Sequence, residues 1–246
     1  MYPVLFEVGG YAIHSYGFML FLAFLTGIAW TSREAPKEGI NRDHLYEAII
    51  IAVILSLLGS RLNFVLINWE LFTGEPFWSL FAFREGGLVF YGGLFAALLG
   101  VFLYCYYRGM SFLHLLDFTA PFIALGYAIT RIGCFLNGCC YGHITDMPWG
   151  VVFPLIDQLP RHPTQLYAFA AGLGIFLLLR RLGRYKSFNG YIFLFFLIFY
   201  SIYRFTVEFF RVSEPVVGVL SLAQLIALII LGTGLTVLLK LKSLHL

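Results

Sequence analysis

Between Arg131 and His143 the chain reads RIGCFLNGCCYGH, which sets a guanidinium, a carboxamide, three thiols and an imidazole within thirteen residues. Three chemistries are open to Cys134, Cys139 and Cys140. A disulfide would form if the segment faces an oxidising compartment. A metal site would need His143 or His162 to complete it, and C-x4-C-C is not a familiar zinc spacing. The third reading is packing of small side chains in a polar loop. A cysteine nucleophile would require a depressed thiol pKa, which nearby arginine favours. Gly133, Gly138 and Gly142 are expected to permit tight, irregular turns. Cys105, inside an apolar run, is expected to pack inertly. The serine-nucleophile elbow and the H-E-x-x-H zinc helix do not occur in the sequence.

Arginine recurs wherever the chain is both apolar and chemically unusual: Arg61, Arg84, Arg131, Arg161, Arg204 and Arg211. A guanidinium grips phosphate in a planar, bidentate fork that lysine cannot reproduce. In YSIYRFTVEFFR, Tyr200, Arg204, Glu208 and Arg211 are spaced i, i+4, i+8 and i+11, a single helical stripe. His14, Tyr16, Asn63, Tyr91, Asn137, His162 and Gln165 are expected at the same depth as these arginines. A competing reading pairs the arginines with Glu208, Glu85 or Asp146, or lets them snorkel towards water.

The elements that must position these groups follow from composition. Of 246 residues, 60% are hydrophobic and 12% charged, which excludes an ordinary soluble domain. No basic cluster on a polar face suggests nucleic acid. Seven apolar runs, at roughly 13–31, 45–67, 88–107, 112–130, 163–182, 190–209 and 217–239, have the length that crosses a hydrocarbon core. The expected fold is an all-α integral membrane protein of seven transmembrane helices. It forms one polytopic domain, 1–246, with a polar outer-face loop at about 131–162. No basic residue precedes the first run, so no signal peptide is read there. Arg33, Lys37, Arg42, Arg108, Arg180, Arg181, Arg184, Lys186, Lys240 and Lys242 gather in alternate connections. By the positive-inside rule they place the C-terminus in the cytoplasm and the N-terminus outside. The six arginines above then lie in the outer half of the membrane, where topology does not ask for them. Pro121 is expected to kink the fourth span and Pro163 to sit at the start of the fifth. His114 and Asp117, near the cytoplasmic end, read as structural.

HSYG at 14–17, GGLVFYGG at 86–93, RIGCFLNGCCYG at 131–142, RHPTQLY at 161–167 and YRFTVEFFR at 203–211 run through essentially the whole chain. In that order they resemble the phosphatidylglycerol–prolipoprotein diacylglyceryl transferase family. The resemblance implies transfer of diacylglyceryl from phosphatidylglycerol to the thiol of a lipobox cysteine in a prolipoprotein. Glycerol phosphate is released, at the outer face of the bacterial cytoplasmic (inner) membrane. It implies phosphatidylglycerol binding by Arg131 with Asn137 and Gly142, a second essential arginine at Arg204 with Glu208, and a motif tyrosine at Tyr16. Arg61 joins the substrate-binding set as a further headgroup contact. Tyr16, Tyr91, His14 and His162 are candidates to take the thiol proton. No metal or nucleotide cofactor is implied, and a monomer suffices. The sequence departs from the commonest family pattern at Cys134 (asparagine expected), Cys139 (glutamate), Tyr91 (histidine) and Ala168 (glutamate). The alternatives are a paralogue using another acceptor and a non-enzymatic phospholipid transporter or flippase. A flippase needs polar groups along a crossing path, and the inner halves offer mainly His114 and Asp117.

Overall fold

The structure, a computed structural model, describes residues 1–74, 76–82 and 86–244; Arg84 and Glu85 lie outside the described residues. Backbone polar groups find no partner in lipid, so long apolar runs fold as helices. The helices are α1 (Ser15–Glu34), α2 (Arg42–Ile67), α3 (Phe90–Arg108), α4 (Phe112–Asn137), α5 (Thr164–Leu182), α6 (Tyr191–Glu208) and α7 (Leu222–Leu244). Among the described residues seven helices are long and apolar enough to cross a membrane, so the chain is a multi-pass membrane protein. The expected spans are matched in number and order. The largest difference is at α4, which runs to Asn137 and takes in the first half of the cysteine-rich segment.

Two compact units form: Met1–Arg33 with Leu116–Leu246, and Glu34–Leu115. In the second, α2 and α3 pair at close range. A Cβ on Gly93 would stand 2.7 Å from the Ser56 carbonyl, and one on Gly59 2.6 Å from the Gly92 carbonyl. Small residues let the backbones approach where no hydrophobic effect drives helices together. Arg61 is 5% exposed and serves as a staple: its Nε donates to the Leu80 carbonyl at 2.8 Å, Nη1 to Gly86 at 2.9 Å, and Nη2 to Ser79 at 2.8 Å. It also lies over the Phe64 and Phe72 rings. Its donors hold the α2–α3 connection and leave little for a substrate phosphate. A lysine keeps the charge but not the fork. Arg61→Lys is therefore expected to lose about 2–3 kcal/mol. The check is faster limited proteolysis across 69–82, and an unchanged cleavage rate contradicts the staple.

In the first unit, α4 and α5 meet through small residues: a Cβ on Gly172 would lie 3.0 Å from Ala128 Cβ. At one end Asp117 caps α6 from a distance. Residue Gly190 precedes α6 with φ 97° and no side chain to cap it. Asp117, 4% exposed, accepts from Gly190 N at 2.7 Å and Phe193 N at 2.9 Å, and pairs with Lys186 Nζ at 3.1 Å. Pro121, inside α4, donates nothing to the Asp117 carbonyl one turn back. Asp117→Ala removes both caps and a buried pair, an expected cost of about 2–3 kcal/mol. It is read as a lower unfolding midpoint in detergent; an unshifted midpoint contradicts the capping role.

The other end of this unit carries short antiparallel pairs that the helical reading did not anticipate. Val4–Val8 (β1) and Tyr11–His14 (β2) form a hairpin turned by Gly9 and Gly10, both at positive φ. Tyr2 N donates to the Leu136 carbonyl at 2.9 Å and Ser15 N to Pro3 at 2.9 Å, tying the N-terminus to the end of α4. Val151–Val152 (β3) pairs with Pro160–Arg161 (β4), and Pro215–Val217 (β5) with Leu220–Ser221 (β6). At the start of α7, Ser221 Oγ accepts from Gln224 N while Gln224 Oε1 accepts from Ser221 N, a capping box written as S-x-x-Q.

Candidate active site

The three thiols are brought together by the way α4 ends. Gly138 N donates to the Phe135 carbonyl and Cys139 N to the Cys134 carbonyl, both at 3.1 Å. With Gly138 at φ 75° this is a Schellman motif, in which the side chains of the two outermost residues touch. Here those residues are Cys134 and Cys139, so a contact that is usually greasy is thiol against thiol. Gly133, expected at a turn, is helical instead. Its missing side chain admits α1: a Cβ would stand 2.8 Å from Met19 Cβ and 3.1 Å from Tyr16 Cα.

Cys140 follows with φ 63°, the left-handed region a β-carbon disfavours. The first turn of α5 holds it there. Thr164 Oγ1 donates to the Cys140 carbonyl and Gln165 Nε2 to the Cys139 carbonyl, both at 2.6 Å, from side chains that are fully buried. All four cysteines are free thiols, and the sulfurs of Cys134, Cys139 and Cys140 lie within 4.8 Å of one another. The hydrogen bond from the Cys134 thiol, helped by Arg211 and Arg131, lowers the Cys140 thiol below its ordinary value against the opposing pull of burial. Burial pushes the Cys139 thiol up, while the Asn137 carboxamide at its side works the other way.

Arg131 lies on α4 one turn before Cys134. Its guanidinium stacks over Tyr127, 4.6 Å from the ring centroid, and Nη1 is 4.0 Å from Cys134 Sγ. Tyr127 and Tyr203 hydroxyls are 3.0 Å apart, and Tyr200 packs edge-on against Tyr127. Among the described residues no carboxylate lies within ion-pairing distance of Arg131. The Tyr16 phenol lies within electrostatic reach of Arg131 and all three thiols of this cluster.

The second arginine set is organised by one carboxylate. Glu208, 6% exposed, takes Arg204 on Oε2, with Arg211 Nε 3.8 Å from the same oxygen. Its other oxygen accepts from Ser221 Oγ at 2.9 Å. The helical stripe and the α7 capping box thus share a single anchor. Arg211, just past α6, also forms a backbone bridge to Gly142. A Cβ on Gly142 would run into the Phe210 carbonyl and stand 2.8 Å from His162 Cβ, so this position admits no side chain.

The expected site residues fall in both units. Arg131, Asn137, Gly142, Tyr16, Arg204 and Glu208 gather at one end of the first unit. His162 packs T-shaped on Phe210 with Nδ1 3.1 Å from the Tyr167 hydroxyl, which itself accepts from Trp149 Nε1. That nest gives His162 a structural setting. Arg161 pairs with Asp157, holds its carboxyl below the usual carboxylate range, and stacks on Tyr141. Tyr91, 42% exposed at the start of α3, and the Arg61 staple belong to the second unit. Tyr127 and Tyr203 were missed by the sequence reading. The signal was present as an i, i+4 aromatic–arginine pair in YAITR and as the residue adjoining Arg204.

The model of the prolipoprotein diacylglyceryl transferase family matches residues 3–240. Proteins named phosphatidylglycerol–prolipoprotein diacylglyceryl transferase are similar throughout. The one from Geobacter sulfurreducens is 36% identical over 242 residues, 95% of this chain and 93% of that protein. The one from Legionella pneumophila is 34% identical over 220 residues, covering 88% and 86%. The one from Methylobacillus flagellatus is 36% identical over 228 residues, covering 89% and 87%.

Proposed function

Because the chain belongs to the prolipoprotein diacylglyceryl transferase family, we propose that it moves diacylglyceryl from phosphatidylglycerol to a lipobox cysteine thiol, working at the Arg131–Arg204 end of its first unit. The observation that carries the assignment of the site is Arg131 itself: a half-buried guanidinium, stacked on Tyr127, with no carboxylate within ion-pairing distance among the described residues.

The acceptor sulfur attacks the glycerol carbon of the diacylglyceryl group, the C–O bond to phosphate breaks, and its electron pair leaves with glycerol phosphate. The phosphate passes from a monoanion to a dianion as this happens. Arg131 and Arg204 therefore bind the leaving group more tightly in the transition state than in the substrate, which is the condition for catalysis. Glu208 aims Arg204 and Arg211 rather than taking a proton, since its oxygens are engaged by both arginines and Ser221. Of the candidates to relieve the thiol of its proton, Tyr16 is the one within electrostatic reach of Arg131 and the cysteine cluster. Asn137 and Gly142 shape the backbone beside the headgroup.

The Lys and Arg distribution supports an orientation with this end on the outer side of a bacterial cytoplasmic membrane. Both substrates enter from the bilayer, and a monomer suffices. Membership of a transferase family sets aside the flippase reading. The test uses purified full-length protein in phosphatidylglycerol micelles with a synthetic lipobox peptide. The peptide should gain the mass of one diacylglyceryl group on cysteine, and its Cys→Ser version none. An unmodified cysteine peptide overturns the proposal.

A further inference from the structure

We infer that Cys134, Cys139 and Cys140 form a three-thiolate zinc site whose open fourth position takes the sulfur of the acceptor cysteine. This rests on the transferase reading above and deepens it, and it departs from the expectation that no metal is involved.

The three sulfurs already lie within 4.8 Å of one another. Zinc–sulfur bonds of about 2.3 Å in a tetrahedron put ligand sulfurs about 3.8 Å apart, so binding asks for a contraction of about an ångström or less. The backbone is set for this without a metal. The Schellman turn places Cys134 against Cys139, and buried Thr164 and Gln165 clamp Cys139 and Cys140 by their carbonyls. Cys140 is the sole non-glycine residue at positive φ among the described residues. Strain of that kind persists where the surroundings enforce it, and it is concentrated at functional sites. The charge is matched as well: zinc with three thiolates is an anion, and Arg131 and Arg211 are the cations beside it.

Zinc sites that catalyse keep three protein ligands and an open position, whereas structural ones are closed by a fourth ligand. A thiol that coordinates zinc is deprotonated outright. The acceptor S–H proton passes to water as the sulfur binds. The zinc-bound sulfur then forms the S–C bond, the C–O bond breaks, and glycerol phosphate leaves with the electron pair beside Arg131 and Arg204. The metal is neither oxidised nor reduced. The arrangement joins the two needs of the reaction, a thiolate and a stabilised phosphate leaving group, at a distance set by one helical turn between Arg131 and Cys134.

The test measures zinc content of the purified full chain, then strips it with a chelator and reloads it with zinc or cobalt(II). About one zinc per chain is expected, with Cys139→Ser and Cys140→Ser weakening zinc binding by at least about 100-fold, and Cys105→Ser without effect. Cobalt should give thiolate charge-transfer absorption that grows by about one third when the lipobox peptide adds a fourth sulfur. Stripped enzyme should lose transfer to the peptide and recover it with zinc. Absence of zinc binding, a disulfide among the three cysteines in active enzyme, or full transfer by stripped enzyme each overturns the zinc site and leaves the transferase reading intact. If zinc binds but no metal state transfers diacylglyceryl, the transferase reading fails and this inference fails with it.

Discussion

Arg131→Ala is expected to lower diacylglyceryl transfer by about 10²–10³-fold, the usual consequence of removing one preorganised group that stabilises developing charge. Arg131→Lys should recover little, because lysine keeps the charge but neither the fork nor the stack on Tyr127. The loss should fall mainly on kcat, since the phosphate gains its second charge only as the C–O bond breaks. Phosphatidylglycerol should still associate with the variant, through its acyl chains and Arg204. The check is a steady-state comparison in mixed micelles, with helix content followed in parallel. A variant that keeps kcat and loses only apparent affinity contradicts the leaving-group role. Tyr127→Leu serves as a milder companion: it leaves the guanidinium but removes the ring that orients it, for about a 10-fold loss.

The second large effect belongs to Glu208. Glu208→Ala removes the one carboxylate shared by Arg204 and Arg211 and the acceptor for Ser221. Breaking a buried pair from one side costs about 3–5 kcal/mol, and the partial exposure of both arginines places this case at the lower end. Transfer should fall by about 100-fold as Arg204 loses its aim. Glu208→Gln keeps the shape and the acceptor for Ser221, so it should restore the fold substantially better than it restores kcat. If Glu208→Gln instead abolishes activity while changing the pH profile of the remaining turnover, Glu208 is a proton carrier and the positioning role is wrong.

The spans, and the helical stripe that sets Arg204 and Arg211 on Glu208, were legible in the sequence because periodicity and the cost of buried charge both act locally. The end of α4 was not. Three glycines within thirteen residues read as turns, yet only Gly138 makes one; Gly133 is helical because α1 must approach, and Gly142 is small because Phe210 and His162 crowd it. A sequence names the residue but not which of glycine's two uses, small size or positive φ, applies. Arg61 misled for a related reason. A guanidinium serves carbonyls as well as phosphates, and the carbonyls of Ser79, Leu80 and Gly86 come from a connection with no periodic pattern. His162 carries the imidazole that a base would use, but it sits among aromatic rings contributed by α5 and the segment after α6. The Asp117 cap joins residues 73 positions apart, beyond any local signal.

Phosphatidylglycerol is expected to be cleaved on the diacylglyceryl side of its phosphate, with the phosphate leaving against Arg131 and Arg204. The most direct measurement is the stoichiometry of released glycerol phosphate against diacylglyceryl-modified lipobox peptide, taken from the same reaction over its first turnovers. Equal amounts of the two are expected, rising together, with both lost in Arg131→Ala. Release of free fatty acid, of glycerol or of phosphatidic acid in place of glycerol phosphate, or peptide modification without it, would show that the bond broken is a different one.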